Sequence, residues 1–156
     1  MFRGRFFALG DADLKILRAT RGDVARRALV SGWEESWPRE RYQDTDKAWY
    51  FLSLMLGFSG PRGLLFRMGQ QMHRGDSMIM NLIVRADVVR VSAALERVER
   101  PDLRRAYDRL SDREFYAGEL KHSTAQFRYV MNWFERIRAF VSAHRDEHLL
   151  FTSDWA

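Results

Sequence analysis

Four places in this chain bring together residue types that can do chemistry. His144-Arg145-Asp146-Glu147-His148 has the H-x-x-E-H spacing of some zinc peptidases, where two histidines four apart on a helix share a metal and the glutamate acts as base. Gly57-Phe58-Ser59-Gly60-Pro61-Arg62-Gly63 is a glycine-rich turn offering backbone N–H groups to a phosphate, with Arg62 as counter-charge. Arg97, Arg100, Arg104, Arg105, Arg109 and Arg113 recur mostly every three or four residues, as in a phosphate-reading helix pair. Asp46, Lys47 and Trp49 set a carboxylate, an amine and an indole within one turn of chain.

Each of these has a plainer reading, which we adopt. Downstream of His148 only Asp154 offers a nearby third ligand, and a cation-rich segment suits the end of a helix. No lysine–serine or lysine–threonine pair continues the glycine-rich turn, and no strand is predicted to feed it, so a P-loop is excluded; Pro61 removes the G-x-S-x-G context from Ser59. Glu96, Glu99, Asp102, Asp108, Asp112 and Glu114 lie among the arginines and describe a salt-bridged, solvated surface. A capping carboxylate, a snorkelling lysine and a core tryptophan account for Asp46, Lys47 and Trp49. On this reading no catalytic residue, no cofactor and no metal ligand is assigned.

The composition bounds the rest. A chain of 156 residues fits one domain, and 46% hydrophobic with 13% aromatic residues is ample for a core. The absence of cysteine excludes disulfides, thiolate metal sites and cysteine nucleophiles, and fits a reducing, cytoplasmic setting. No run reaches the roughly 18 apolar residues of a membrane helix, and the opening residues are too short and interrupted for a signal peptide. The net charge of +5 rests on 26 basic residues, all but three of them arginine. That balance fits an anionic partner, although arginine-rich coding explains it without one.

The elements that must position these residues follow from periodicity. Alternation predicts a strand over Phe2–Leu9, then a short helix with Leu14, Ile16 and Leu17 inward. A second helix is predicted from Asp23 to about Gly32, with Val24, Ala25, Ala28 and Leu29 apolar, and a Pro38-bearing loop over residues 33–43. Residues 44–57 open with two acids and a lysine, and eight of the next nine residues are apolar or aromatic. They predict a helix capped by Asp44 or Asp46, ended by Gly57 and buried on all sides, a central helix near residues 46–56. Residues 64–72 predict a short helix, and residues 78–84 a strand buried on both faces apart from Asn81. Asp87 is the predicted cap of a helix carrying Val88, Val91, Leu95 and Val98, and Pro101 opens another carrying Leu103, Ala106, Tyr107 and Leu110. Residues 111–122 predict an irregular stretch. Ser123 or Thr124 caps the longest helix, with Phe127, Val130, Met131, Phe134, Ile137 and Val141 at helical spacing, before a last strand over residues 147–152. The sum is α+β: one domain over residues 1–156, helices packed on a small sheet.

With these elements placed, the chain resembles the YfbM-like family, a bacterial group classed as a domain of unknown function. Asp46-Lys47-Ala48-Trp49 with Leu52 and Leu56 is similar to its Asp-Lys-x-Trp helix. Residues 1–9 with Asp13 and Leu14 are similar to its opening strand and helix, and Leu82-Ile83-Val84 with Asp87, Val88 and Leu95 to a later strand-to-helix passage. Glu114-Phe115-Tyr116 echoes a Glu-Ile-Tyr-Pro element with Ala117 in the proline's place, and Leu56-Gly57-Phe58 stands where the family has Leu-Thr-Gly. The resemblance implies a single α+β domain and supplies no reaction and no catalytic residues. Some small bacterial families of this kind are immunity proteins.

Aromatic residues in charged or breaker-rich segments are the remaining candidates for a site. Trp33, Trp37 and Phe58 are the expected exposed anchors, with Arg62 beside them. The expected function is a non-enzymatic, cytoplasmic protein-binding module: an immunity protein that neutralises a bacterial toxin by occlusion, its partner an acidic toxin domain steered by arginines. Two other classes stay open. One is an enzyme or binder of a phosphorylated or nucleotide ligand, using Asp46 with Arg62 or nearby arginines. The other is nucleic-acid binding through the arginine stripe.

Overall fold

The computed structural model describes residues 2–75, 77–111 and 123–155. Strands β1 (Phe2–Leu9), β2 (Tyr42–Asp46), β3 (Gln70–Arg74), β4 (Met78–Ile83) and β5 (His148–Trp155) form one antiparallel sheet in the order β2-β1-β5-β4-β3. The helices are α1 (Asp11–Ala19), α2 (Asp23–Ser36), α3 (Ala48–Leu56), α4 (Gly60–Gly63), α5 (Arg85–Glu96), α6 (Arg100–Asp108) and α7 (Thr124–Ala143).

Period-two alternation in the strands decides the layers. Phe6 and Ala8 of β1, Ile83 of β4, and Leu149 and Phe151 of β5 face one way, into a cluster with α3, α5, α6 and α7. Phe7 and Leu9, Met78, Met80 and Leu82, and Leu150 face the other way, against Leu14 and Leu17 of α1 and Val30 and Trp33 of α2. The sheet is therefore covered on both faces, and the central strand β5 has no water-facing side over residues 149–153. The class is α+β, as the periodicity predicts.

Helix α3 is buried as expected, with Ala48, Trp49, Phe51, Leu52, Ser53, Met55 and Leu56 all in the interior, and it ends at Gly57 in the left-handed region, φ +76°. Its start differs from the prediction. Asp44 and Asp46 belong to strand β2 rather than to a cap. Asp44 accepts the Asp46 backbone N–H at 2.8 Å, and Asp46 turns the chain at φ +47°, a conformation its short polar side chain tolerates. Strand β2 carries no alternating apolar pattern; pairing with β1 makes it a strand, through Arg5 opposite Asp44 and Phe7 opposite Tyr42. The helix predicted over residues 64–72 stops short: Leu64 to Met68 coil as a wide π-helical turn, and Gln70 begins pairing with β4 as strand β3.

Helix α2 runs on through Trp33 to Ser36, four residues past its predicted end near Gly32. Its inward face is Val30 and Trp33, while Val24 is exposed; Ile16 of α1 is likewise exposed. Val84, not Asp87, precedes α5 as its cap, and Asp87 lies in the first turn, where its charge suits the dipole. At α7 the expectation holds: Ser123 Oγ accepts the Gln126 backbone N–H at 3.0 Å. Residues 112–122, with the Glu114-Phe115-Tyr116 element and Arg113, lie outside the described residues. Among the described residues no helix is long and apolar enough to cross a membrane.

Candidate functional site

One cleft opens on the α3 side of the sheet. Its floor comes from two neighbouring rows of the ladder. Gly4, Ser153, Ile79 and Arg74 stand side by side in one row, and Phe6, Phe151, Asn81 and Gln71 in the next. The first row begins with a glycine for a spatial reason. A Cβ on Gly4 would lie 2.6 Å from Trp49 Cδ1 and 2.5 Å from Thr45 Oγ1, so the Trp49 indole occupies the place of a side chain. Arg74 reaches this face through a bulge between Gln71 and His73. The extra residue turns Arg74 onto the cleft side, while His73 faces α2 and pairs with Asp23 at 2.5 Å.

The roof comes from α3 and the π-helical turn that follows α4. Trp49, Phe66 and Phe151 pack with ring centroids 5.1 to 6.5 Å apart, against Phe6. Asn81, buried within the sheet, donates Nδ2 to the Phe66 carbonyl at 2.6 Å and so ties the π-helical turn to β4. That turn leaves Phe66 inside and Arg67 outside, and such turns recur at functional sites. The Arg67 guanidinium lies 5.9 Å from the Tyr50 ring and 5.2 Å from the Phe58 ring, a cation held between two aromatics.

The cleft so formed has a volume of about 220 Å³. Its lining offers aromatic walls, two arginines and two amides, with no carboxylate. Trp49 Nε1 and Ser153 Oγ, both on lining residues, are shut off from water and have no hydrogen-bond partner among the described residues. Each such orphan costs about 1–3 kcal/mol. Among the described residues neither Arg67 nor Arg74 has a carboxylate partner, as is true of Arg62 and other surface arginines, whereas Arg3, Arg5, Arg41, Arg85, Arg90, Arg104, Arg105 and Arg138 each have one.

The residues singled out from sequence are dispersed. Trp33 is a core residue, 7% exposed, and is corrected as an exposed anchor. It stacks on Trp37 at 4.8 Å, and both lie against Phe7. Trp37 is half-buried, covered by the Arg41 guanidinium 3.9 Å from its ring. The reason is local: α2 continues through the segment read as a loop, and its inward stripe carries Trp33 into the sheet. Phe58 is exposed, 47%, and Arg62 is exposed on α4; Phe58 joins the cleft mouth through Arg67. Sequence reasoning missed Arg67, Arg74, Gln71, Asn81 and Ser153. The only sequence signal for them was Asn81 in an otherwise apolar strand.

The other constellations take structural roles. His144 bonds the Glu40 carbonyl at 2.6 Å and Glu147 at 2.8 Å, while His148 accepts the Arg85 backbone N–H and bonds Asp11 at 2.9 Å. The two rings thus serve different neighbours, and no metal-holding group of three or more histidine and acidic side chains occurs among the described residues. Asp46 accepts the Tyr129 hydroxyl at 2.7 Å; burial and that carboxylate push the Tyr129 hydroxyl well above its usual range. Within the arginine stripe, Arg104 pairs with Asp108 and Arg105 with Asp102, and Arg100 and Arg104 lie against the Phe127 ring.

The fold has a solved counterpart, the protein of unknown function YfbM from Escherichia coli. The two share 17% sequence identity and a TM-score of 0.68 over 97% of this chain and 99% of that one. At that identity the likeness concerns the fold. None of the curated proteins matches the chain. A family model described as a domain of unknown function (DUF1877) matches residues 2–152, nearly the whole length, and the chain belongs to that family.

Proposed function

We propose that this protein works by binding, and that its site is the cleft between α3 and the sheet, where it holds a small anionic molecule. The observation that carries the reading is the charge of the lining: Arg67 and Arg74 stand over aromatic walls with no acid among them. Two cations lining one cleft attract an anion, an attraction that salt screens because both side chains are exposed. The volume lies below the roughly 300–1,000 Å³ of drug-sized pockets, which favours a small metabolite. This keeps the phosphorylated-ligand class raised by the sequence, replaces Asp46 and Arg62, and takes Arg67 and Arg74 as the arginines of the site.

Thermal unfolding in rising orthophosphate, with an Arg67→Gln/Arg74→Gln variant alongside, tests the proposal. Specific binding raises the wild-type melting temperature by mass action. Phosphate also stabilises proteins generally by exclusion from their surfaces, and the variant reports that part alone. Equal rises in both proteins would remove the reading.

A second reading is favoured by Phe58. It is an apolar ring on an exposed turn with Arg62 and Arg67 nearby, which suits protein recognition: an immunity protein occluding an acidic toxin domain in the cytoplasm of a bacterium. Co-purification of the tagged protein from its native cells supports this if one stoichiometric partner comes down and is lost in Phe58→Ala. Recovery of the same partner by that variant, or of none by either protein, counts against it.

A further inference from the structure

We propose that His148 is a pH-sensitive latch on helix α5: its neutral ring caps the start of the helix, and a proton on that ring releases it. None of the residues involved lines the cleft. Helix α5 lacks a cap of its own, because Val84, the residue before it, has no side chain that can accept a hydrogen bond. The Arg85 N–H, one of the donors left over at a helix start, is taken instead by His148 Nδ1 at 3.0 Å, from the first residue of β5. A backbone N–H only donates, so Nδ1 must keep its lone pair. The other ring nitrogen then carries the hydrogen and gives it to Asp11 Oδ1 at 2.9 Å. One neutral ring thus ties the starts of α1 and α5 to the sheet.

The other histidine of the same turn has the opposite demand. His144 Nδ1 faces the Glu147 carboxylate at 2.8 Å, and its Nε2 faces the Glu40 carbonyl at 2.6 Å. Both partners are acceptors, so a ring with two N–H groups satisfies both. A proton therefore completes the contacts of His144 and breaks one of His148. On His148 it removes the acceptor from Arg85 and sets a cation against the positive end of a helix dipole. The ring keeps 13% of its surface open, so a proton reaches it in the folded chain. The surrounding charges do not reverse the effect. Asp11 of α1 faces the ring, but it is 76% exposed and already pairs with the Arg85 guanidinium at 2.9 Å. Hydrogen bonds from His148 and Arg85 hold the Asp11 carboxyl below its usual range, so it stays ionised while histidines titrate. Asp13 of α1 is taken by Arg41, Asp87 of α5 by Arg90, and Glu147 by His144. Arg145 and Asp146 are exposed on the turn, and β1 sets Leu9 opposite His148. Water screens a stronger His148–Asp11 pair, whereas the lost cap has no replacement among the described residues.

Nitrogen-15 NMR on the full chain tests the latch. An N–H···N hydrogen bond carries a scalar coupling between its two nitrogens. The Arg85 amide nitrogen and His148 Nδ1 should therefore be coupled at about pH 7.5 and uncoupled at about pH 5.5, across the range in which histidines titrate. No coupling at the higher pH overturns the cap, and a coupling that persists at the lower pH overturns the release. His148→Asn supplies a second readout, since its side-chain oxygen accepts in the place of Nδ1 and takes no proton in this range. A contact that protonation breaks gives stability that is present at neutral pH and is lost as pH falls through the histidine range. The urea midpoint of the wild type should thus fall relative to that of His148→Asn by roughly 0.5 M between about pH 7.5 and 5.5, the effect of one lost cap. A difference between the two midpoints that does not change with pH overturns the latch.

Discussion

The two faces of the sheet use similar residues and finish them differently. On the α2 face, Phe7, Trp33, Trp37 and Tyr42 stack into a filled layer, with Arg41 over Trp37. Next to it lies a network in which every cation has an acid: Arg3 with Asp44 and Glu34, and Arg5 with Asp154 and Glu34. On the α3 face, Trp49, Phe66 and Phe151 pack as tightly, yet a cleft remains beside them and its two arginines have no acid among the described residues. The first arrangement is what stability alone requires. The second leaves a cleft whose lining carries positive charge and no acid, and that difference makes it the candidate site.

The largest effect that sharpens this contrast lies on the α2 face. Trp33→Ala should cost about 3–5 kcal/mol, the usual loss for a buried aromatic, measured as a fall in the urea midpoint at unchanged slope. An exposed anchor would cost almost nothing there. On the α3 face, Gly4→Ala should cost about 1–3 kcal/mol by driving a methyl into the Trp49 ring. A neutral result would mean that the indole does not rest on that glycine.

The acid–base network of the α2 face predicts a pH dependence. Burial works against ionising Asp44, but hydrogen bonds from Arg3 and the Asp46 N–H outweigh it and hold the carboxyl below its usual 3.8. A depressed carboxylate contributes stability that is present above its unfolded value and is lost as pH falls through the folded one. Urea midpoints should therefore decline on the acid side below about pH 4, and Asp44→Asn should lower stability at neutral pH and flatten that decline. The smallest effect belongs to Phe58→Ala. Its stability change should stay within ~0.5 kcal/mol, as for surface positions that carry no packing. A larger loss would make Phe58 part of the core.

What the sequence made legible follows from range. The buried α3, the long α7 with its Ser123 cap, and the strands β1, β4 and β5 carry their pattern within a few neighbours. Strands β2 and β3 do not: Gln43, Asp44, Gln70 and Gln71 become strand residues only by pairing with partners far along the chain. The cleft depends on the same long-range facts. Arg74 faces it because of a bulge, Arg67 because of a π-helical turn, and Ser153 because β5 lies between β1 and β4. None of these has a local signature. Trp33 failed in the opposite sense: charges and Pro38 around it read as loop, while the helical stripe from Val30 continued underneath.

The claim that the α3 face is a site rests on Arg67 and Arg74, and the most direct test measures them together. Orthophosphate is titrated calorimetrically into the wild-type protein and into Arg67→Gln/Arg74→Gln, with the urea midpoint of each recorded. The account predicts binding to the wild type, a loss of at least about tenfold in the double variant, and stabilities equal within ~0.5 kcal/mol, because both side chains are exposed. Equal affinity in the two proteins would contradict it, and so would a wild type that binds nothing.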